Sequence, residues 1–255
     1  MTNREKLNQL FNLQKAGTVL QSSWLKKQGY SYALQQRYRR SQWLLPIGEG
    51  AYVRAGDKAS FEGAIYALQQ QSALSIHPAA RTALSLQGKD QYLPKLVLFG
   101  GAKEKLPAWF SKHDWETKID FHPTSFLDPH VGLINMEVRG FNLAVPSPGR
   151  ALMECLYLAH HHQDLIECYE LMEGLKDLQP QEAQALLENC RSVKVKRLFL
   201  YMADKAGHEW IEYIDPTNIA LGKGKRSIVR NGIYEDGYGI TVPKELEERG
   251  RLFHP

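Results

Sequence analysis

A chain of 255 residues, 43% hydrophobic and 24% charged, can bury the core of one large or two ordinary domains. No apolar run approaches the ~20 residues that span a bilayer, and residues 1–15 are polar and amphipathic instead of a signal sequence, so the expectation is a cytoplasmic protein without membrane contact. The net charge of +4 is unevenly held: residues 1–57 carry nine basic and three acidic side chains, a net of +6, leaving −2 for the remainder. A basic segment on a slightly acidic body is what phosphate neutralisation by one module requires.

Leu7, Leu10, Phe11 and Leu13 recur at helical spacing within residues 4–15, which predicts a first, structural helix. Ser22 or Ser23 then caps a short helix bearing Trp24 and Leu25, Gly29 supplies a tight turn, and Ser31 caps a second helix to about Ser41. On that helix Leu34 and Tyr38 face inward together, which leaves Tyr32, Gln35, Gln36, Arg39 and Arg40 on its outer surface. Glutamine and arginine pair bidentately with adenine and guanine edges, so these residues are the expected readers of a major groove. Residues 43–47 and 51–54 flank Gly48-Glu49-Gly50 as a β-hairpin, with Arg54 as its phosphate contact. Together these elements spell a winged helix-turn-helix over residues 1–57.

Helices at 60–68 and 78–86 form a connection over residues 58–94, and a mixed α+β domain occupies 95–255. Strands are expected at Leu96-Val97-Leu98-Phe99 and over 115–121, and as a pair at 133–138 and 141–145 turning at Arg139-Gly140. Helices return at 151–162, 165–175, 180–189 and 193–205, and strand-like pieces close the chain at 210–214, 227–229 and 240–242. Cys155, Cys168 and Cys190 are odd in number and lie in helical stretches, which reads as buried reduced thiols. No zinc or cofactor motif accompanies them, so no cofactor is expected.

Three groups invite a chemical reading. His160-His161-His162 is a polar helix end, since consecutive helical residues point about 100 degrees apart and cannot share one ion. Asp120 with Glu137 and Arg139 loosely matches a metal-dependent nuclease, yet arginine stands where such enzymes use lysine. Leu221-Gly222-Lys223-Gly224-Lys225-Arg226 sets three cations among glycines but fails the Walker pattern, because Arg226 comes after Lys225 and no glycine occupies position 219. No catalytic residue is assigned, and the chain is not read as an enzyme.

Thr18 to Tyr52, with Ser23-Trp24-Leu25, Gln28-Gly29, Tyr38-Arg39-Arg40-Ser41-Gln42-Trp43-Leu44 and Gly48-Glu49-Gly50-Ala51-Tyr52, resembles the N-terminal winged helix of AbiEi-type antitoxins from bacterial abortive-infection systems. Ser147-Pro148-Gly149-Arg150-Ala151, Val193-Lys194-Val195-Lys196-Arg197-Leu198 and the 221–226 stretch resemble that family's C-terminal domain. Gly149 departs from it, standing where an acid is expected, which weighs against Arg150 being held by a neighbouring carboxylate. The resemblance implies a type IV antitoxin that represses its own operon and counters a nucleotidyltransferase-like toxin without a stable complex. Its partners would be double-stranded DNA with inverted repeats in its own promoter and a toxin acting on a shared target. Lys194, Lys196, Arg197, Lys223, Lys225 and Arg226 form a candidate antitoxin patch. The alternatives are a ligand-sensing transcription factor unrelated to a toxin and a DNA-targeted metal-dependent nuclease.

The charge of residues 1–57 generates a first prediction: DNA affinity falls steeply with salt, each phosphate contact adding about 0.9 to the negative slope of log affinity against log salt. Titration of a promoter fragment at several ionic strengths measures it, and a flat response contradicts the electrostatic reading.

Overall fold

The computed structural model describes residues 3–88, 95–159 and 164–249. They form two compact units that interleave along the chain. Of the described residues, the first unit takes 3–78, 95–124 and 134–145, and the second takes 79–88, 125–133, 146–159 and 164–249.

The first unit begins with α1 (Asn3–Leu13), β1 (Leu20–Gln21), α2 (Ser22–Lys27), α3 (Tyr32–Arg40), β2 (Leu44–Gly48) and β3 (Ala51–Arg54). Its strands pair antiparallel in the order β1-β3-β2, with Leu20 opposite Tyr52 and Leu44 opposite Arg54. Leu10, Leu20, Leu25, Tyr30, Tyr38, Leu44 and Tyr52 fill the core between helices and sheet. The turn after α2 is a Schellman arrangement: Gly29 has φ +87, Tyr30 N–H donates to Leu25 O at 2.9 Å and Gly29 N–H to Lys26 O at 3.1 Å. Ser31 caps α3 by accepting from Leu34 N–H at 3.3 Å. Ser22 does not cap α2. It is the helix's first residue, Gln21 holds the cap position, and the Ser22 hydroxyl is engaged elsewhere.

The same unit continues through α4 (Phe61–Tyr66), a π-helical turn at Ala67–Gln71 and β4 (His77–Pro78). The chain passes through α5 (Ala80–Leu86), which belongs to the second unit, and returns with β5 (Lys95–Gly101), α6 (Ala108–Ser111) and β6 (Lys118–Thr124). β5 and β6 run parallel with α6 in their crossover, and β4 adds antiparallel to the other edge of β5. A strand expected from 115 starts only at Lys118. Glu116 has φ +59, and the Trp115 indole N–H donates to Phe110 O at 2.8 Å, so this stretch is committed to an aromatic cluster. β7 (Leu133–Val138) and β8 (Phe141–Pro146) form the expected hairpin around Arg139-Gly140.

The second unit is mainly helical: α7 (Pro148–Leu158), α8 (Leu165–Glu173), α9 (Pro180–Asn189), α10 (Val193–Lys205) and the short α11 (Lys244–Glu248). Side chains of Ser147, Asp164 and Ser192 cap α7, α8 and α10. β9 (Arg226–Ser227), β10 (Ile233–Glu235) and β11 (Ile240–Val242) form a small sheet ordered β10-β11-β9. The strand expected at 210–214 is instead a 3₁₀ turn, Glu209–Tyr213. Its Trp210 is drawn inward, donating its indole N–H to Leu175 O at 3.1 Å and stacking on His208. β9 stops before Val229. The histidine run at 160–162 lies outside the described residues.

The fold is therefore mixed α+β with an N-terminal winged helix-turn-helix arrangement. Cys155, Cys168 and Cys190 are buried and not in disulfides; burial pushes the Cys168 thiol well up and that of Cys190 up to about 11. Among the described residues no helix is long and apolar enough to cross a membrane.

Arg150 occupies the interior of the second unit at 3% exposure. Its Nε donates to Glu154 Oε1 at 2.9 Å and its Nη1 to Asp128 O at 2.8 Å and to Val131 O. Glu154, also buried, accepts from Ala80 N–H at 3.0 Å, where Ala80 opens α5 with φ +50. The carboxylate missing at position 149 is thus supplied from Glu154, one helical turn beyond the arginine. Breaking a buried pair strands a charge, so Glu154→Ala should lower stability by roughly 3–5 kcal/mol. Urea denaturation reads this as a lower midpoint, and a loss under about 1 kcal/mol would show that Glu154 does not hold this junction.

Candidate nucleic-acid interface

The helix α3 presents two unlike faces. Leu34, Gln35 and Tyr38 turn inward, whereas Tyr32, Ala33, Gln36, Arg37, Arg39 and Arg40 are exposed. Ala33, Gln36, Arg37 and Arg40 stand at positions i, i+3, i+4 and i+7, so they form one stripe along the outermost line of the helix. Arg39 leans to one side, its guanidinium 3.3 Å from Gln36 Oε1 and 6.0 Å from the centre of the Tyr52 ring on β3. At the other end of the helix Lys26 sits 4.9 Å over the ring of Tyr32, which is 52% exposed.

Gln35 is the first correction. It is 1% exposed and does not share the outer face. Its amide nitrogen donates to Ser22 O at 3.1 Å and Tyr30 O at 2.8 Å, and its oxygen accepts from Ser22 Oγ at 2.6 Å. An unbonded amide in that position would cost more than the bonds gain, which is why the side chain is fixed there. Gln35 therefore staples α2 to α3 and has no free edge for a base. Arg37 is the residue that reasoning from Leu34 and Tyr38 passes over, although completing the helical stripe from Gln36 and Arg40 identifies it.

Arg54 is the second correction. It ends β3 at the base of the wing, where its Nη2 lies 3.1 Å from Asp57 Oδ1 and its guanidinium 5.7 Å from the Phe11 ring centre. Its charge is answered inside the unit. The exposed cations of α2 and α3 are instead Lys26, Lys27, Arg37, Arg39 and Arg40, none of which pairs with a carboxylate among the described residues. A half-exposed Trp43 and Leu45 border them.

The six cations expected to make one patch divide into two sets. Lys196 and Arg197 belong to the interior, and Lys194 is half-buried. Lys194 donates to Tyr157 O at 2.9 Å and Ala159 O at 3.4 Å at the C-terminal end of α7, where a cation meets the helix dipole, and burial pulls its ammonium below the usual lysine range. Lys196 is 3% exposed. Arg197 reaches four backbone carbonyls, Leu221 at 2.9 Å, Gly224 at 2.8 Å, and Gly222 and Gly239 at 3.1 Å. The glycine-rich stretch thus wraps a buried guanidinium. Lys223, Lys225 and Arg226 remain exposed on its outside, with Lys225 4.4 Å from the ring centre of Tyr234.

The acids that loosely match a nuclease are engaged within the fold or stand apart. Asp120 meets Lys95 Nζ at 2.6 Å and His122 Nε2 at 3.0 Å. Burial opposes ionisation of this carboxyl, but the hydrogen bond from Lys95 and the nearby His122 outweigh it and hold the group below the usual range. Arg139 pairs with Glu62 at 3.3 Å, and Glu137 is exposed on β7. Among the described residues no three possible ligands converge on one point.

These roles separate by measurement. Gln35→Ala should cost roughly 1–3 kcal/mol of stability without altering sequence preference in the folded protein. Gln36→Ala and Arg37→Ala should leave the melting temperature alone, and each should reduce discrimination between promoter and scrambled DNA by ~1–3 kcal/mol per base no longer contacted. A stable Gln35→Ala protein with relaxed specificity would return Gln35 to the interface.

Comparison with known families and structures agrees with this architecture. The family described as "Transcriptional regulator, AbiEi antitoxin N-terminal domain" matches residues 3–95, and "Transcriptional regulator, AbiEi antitoxin, Type IV TA system" matches residues 93–243. No curated protein matches the chain. Among solved structures, the crystal structure of RV2827C protein from Mycobacterium tuberculosis superposes with a TM-score of 0.56 at 11% identity, covering 88% of this chain and 85% of that one. At that identity the likeness is one of fold.

Proposed function

Since the chain belongs to the AbiEi family of type IV antitoxin transcriptional regulators, we propose that α3 reads duplex DNA upstream of the chain's own gene, represses it, and leaves toxin control to the second unit. The observation that carries this reading is the exposed stripe Gln36, Arg37 and Arg40, flanked by Tyr32, Lys26 and Arg39, on a helix whose opposite face is locked by Gln35. A rigid helix with cations and amides on its outer line that pair with no carboxylate can enter a major groove without first breaking an ion pair. Because one such helix covers a short site, two copies bind inverted half-sites. The working compartment is the cytoplasm.

The antitoxin activity counters a nucleotidyltransferase-like toxin through a shared target, without a stable complex. Lys223, Lys225 and Arg226 are its surface, because they are the exposed cations of a loop that Arg197 holds in one shape. Lys194, Lys196 and Arg197 support that surface from within.

Removing residues 1–57 would cut through the first compact unit, which extends to residue 145. Full-length variants make the cleaner test. Coexpressed with the toxin from the neighbouring gene, Arg37→Ala/Arg40→Ala should derepress a promoter reporter at least tenfold and keep protection, a factor of about ten corresponding to about 1.4 kcal/mol of affinity. Lys223→Ala/Lys225→Ala/Arg226→Ala should repress normally and protect poorly. Full protection by the folded triple variant removes the loop from neutralisation, and normal repression by the double variant removes α3 from DNA reading.

A further inference from the structure

We infer that Trp109 is a positioning residue for the wing, and that the close approach of α6 to Gly48 holds the Glu49 carboxylate at the wing tip clear of DNA phosphates. The inference rests on the proposal that this winged helix binds DNA. In the sheet order β1-β3-β2, β2 is the outer strand, and an outer strand ordinarily keeps an open edge. Here α6 packs against β2 at Gly48. A Cβ placed on Gly48 would stand 2.8 Å from Trp109 Cα and 2.9 Å from Trp109 Cβ. Both atoms are rooted in the α6 backbone and cannot swing aside as the end of a flexible side chain would. Gly48 is not among the residues with positive φ, so space and not backbone conformation demands a glycine.

The contact coincides with a bulge, since the pairing of β2 with β3 shifts register between Pro46 and Gly48. A bulge bends its strand and re-aims the residues beyond it, and the residue beyond Gly48 is Glu49. The helix α6 is itself well anchored: Trp109 and Phe110 are buried, and Phe110 O receives the Trp115 indole N–H. The Phe61 ring lies 6.4 Å from that of Phe110 and 6.5 Å from that of Trp115. Phe61 opens α4, the first helix after the wing. The chain thus leaves the wing, passes through two further strands, and returns to pack against the wing at Gly48.

Electrostatics explains why the pose matters. The hairpin's one cation, Arg54, is bound to Asp57, while Glu49 at its tip is exposed and negative. A wing carrying that charge beside a polyanion binds well only when its tip is kept at a distance. Paired with β3 and packed on α6 at Gly48, the wing is held before DNA arrives.

The test uses full-length protein and duplex DNA carrying the sequence upstream of its own gene, at fixed low salt. Gly48→Ala, which must push the wing off α6, should bind roughly tenfold more weakly, the scale of a single charged interaction turned from neutral to repulsive. Placed in a Glu49→Gln background, the same substitution should cost less than about twofold, because the two changes act through one interaction. Trp109→Ala should reproduce this pattern and Trp109→Phe should retain binding, so the result stands even where Gly48→Ala fails to fold. Folded variants that bind as the wild type does, or an equal loss in both backgrounds, would overturn the inference and mark the contact as structural only. Absence of wild-type binding would overturn the DNA-binding proposal itself, and this inference with it.

Discussion

The amide of Gln35 shows the constraint on which the first unit depends: elements mostly a few residues long leave backbone groups that no ladder or helix completes, and a buried side chain must complete them. Gln35 does so across the helix-turn-helix. Gln71 and Gln21 do so beneath β1, where Gln71 accepts from Gln21 N–H at 2.9 Å and donates to Val19 O at 2.8 Å, while Gln21 donates to Ala67 O at 2.9 Å. Gln69 acts as a missing strand beside β8, both donating to Ala144 O and accepting from Ala144 N–H at 2.9 Å. Each bond nets only about 0.5–1.5 kcal/mol, but each buried group left unmade costs about 1–3, so these glutamines specify geometry more than they add stability.

In the second unit guanidinium groups meet the same need. Arg150 and Arg197 are buried, and between them they satisfy carbonyls in the 128–131 segment, the glycine-rich 221–224 loop and the entry to β11. A guanidinium suits this use, having five donors in a fixed fork and a charge too stable to lose. The cost is that these cations no longer face solvent. Charge counted along the chain therefore overstates the positive surface of the six-cation group, of which Lys223, Lys225 and Arg226 stay exposed.

The same distinction organises the winged helix. Arg54 and Arg39 are both arginines of the winged helix, yet one is neutralised by Asp57 and the other reaches only an amide and a ring. Fixed charges shape the scaffold; those without a carboxylate partner remain available to phosphate. Gln35 fixes α3 from behind and α6 packs against β2 at Gly48, so the exposed residues stand on a braced scaffold, which would lose little freedom on binding.

Much of this was legible in local sequence. Helix positions, the Gly29 turn, the Ser31 cap, the wing hairpin and the α+β class come from periodicity and turn chemistry acting over a few residues, and those forces operate before distant contacts form. The outer stripe of α3 was partly legible for the same reason. What only the tertiary structure decided is which polar residues go inside. Gln35 and Gln36 are identical side chains one helical step apart, and nothing local separates a buried staple from an exposed side chain; the Ser22 and Tyr30 carbonyls, brought in by the turn, do. Likewise Lys194, Lys196 and Arg197 match Lys223, Lys225 and Arg226 in charge, but carbonyls 24 to 42 residues away claim Arg197. The parallel pairing of β5 with β6 and the seat of α6 against Gly48 also depend on segments far apart in the chain. Periodicity sets where a side chain points, whereas its use depends on what arrives opposite it, and that is settled only when the chain has folded.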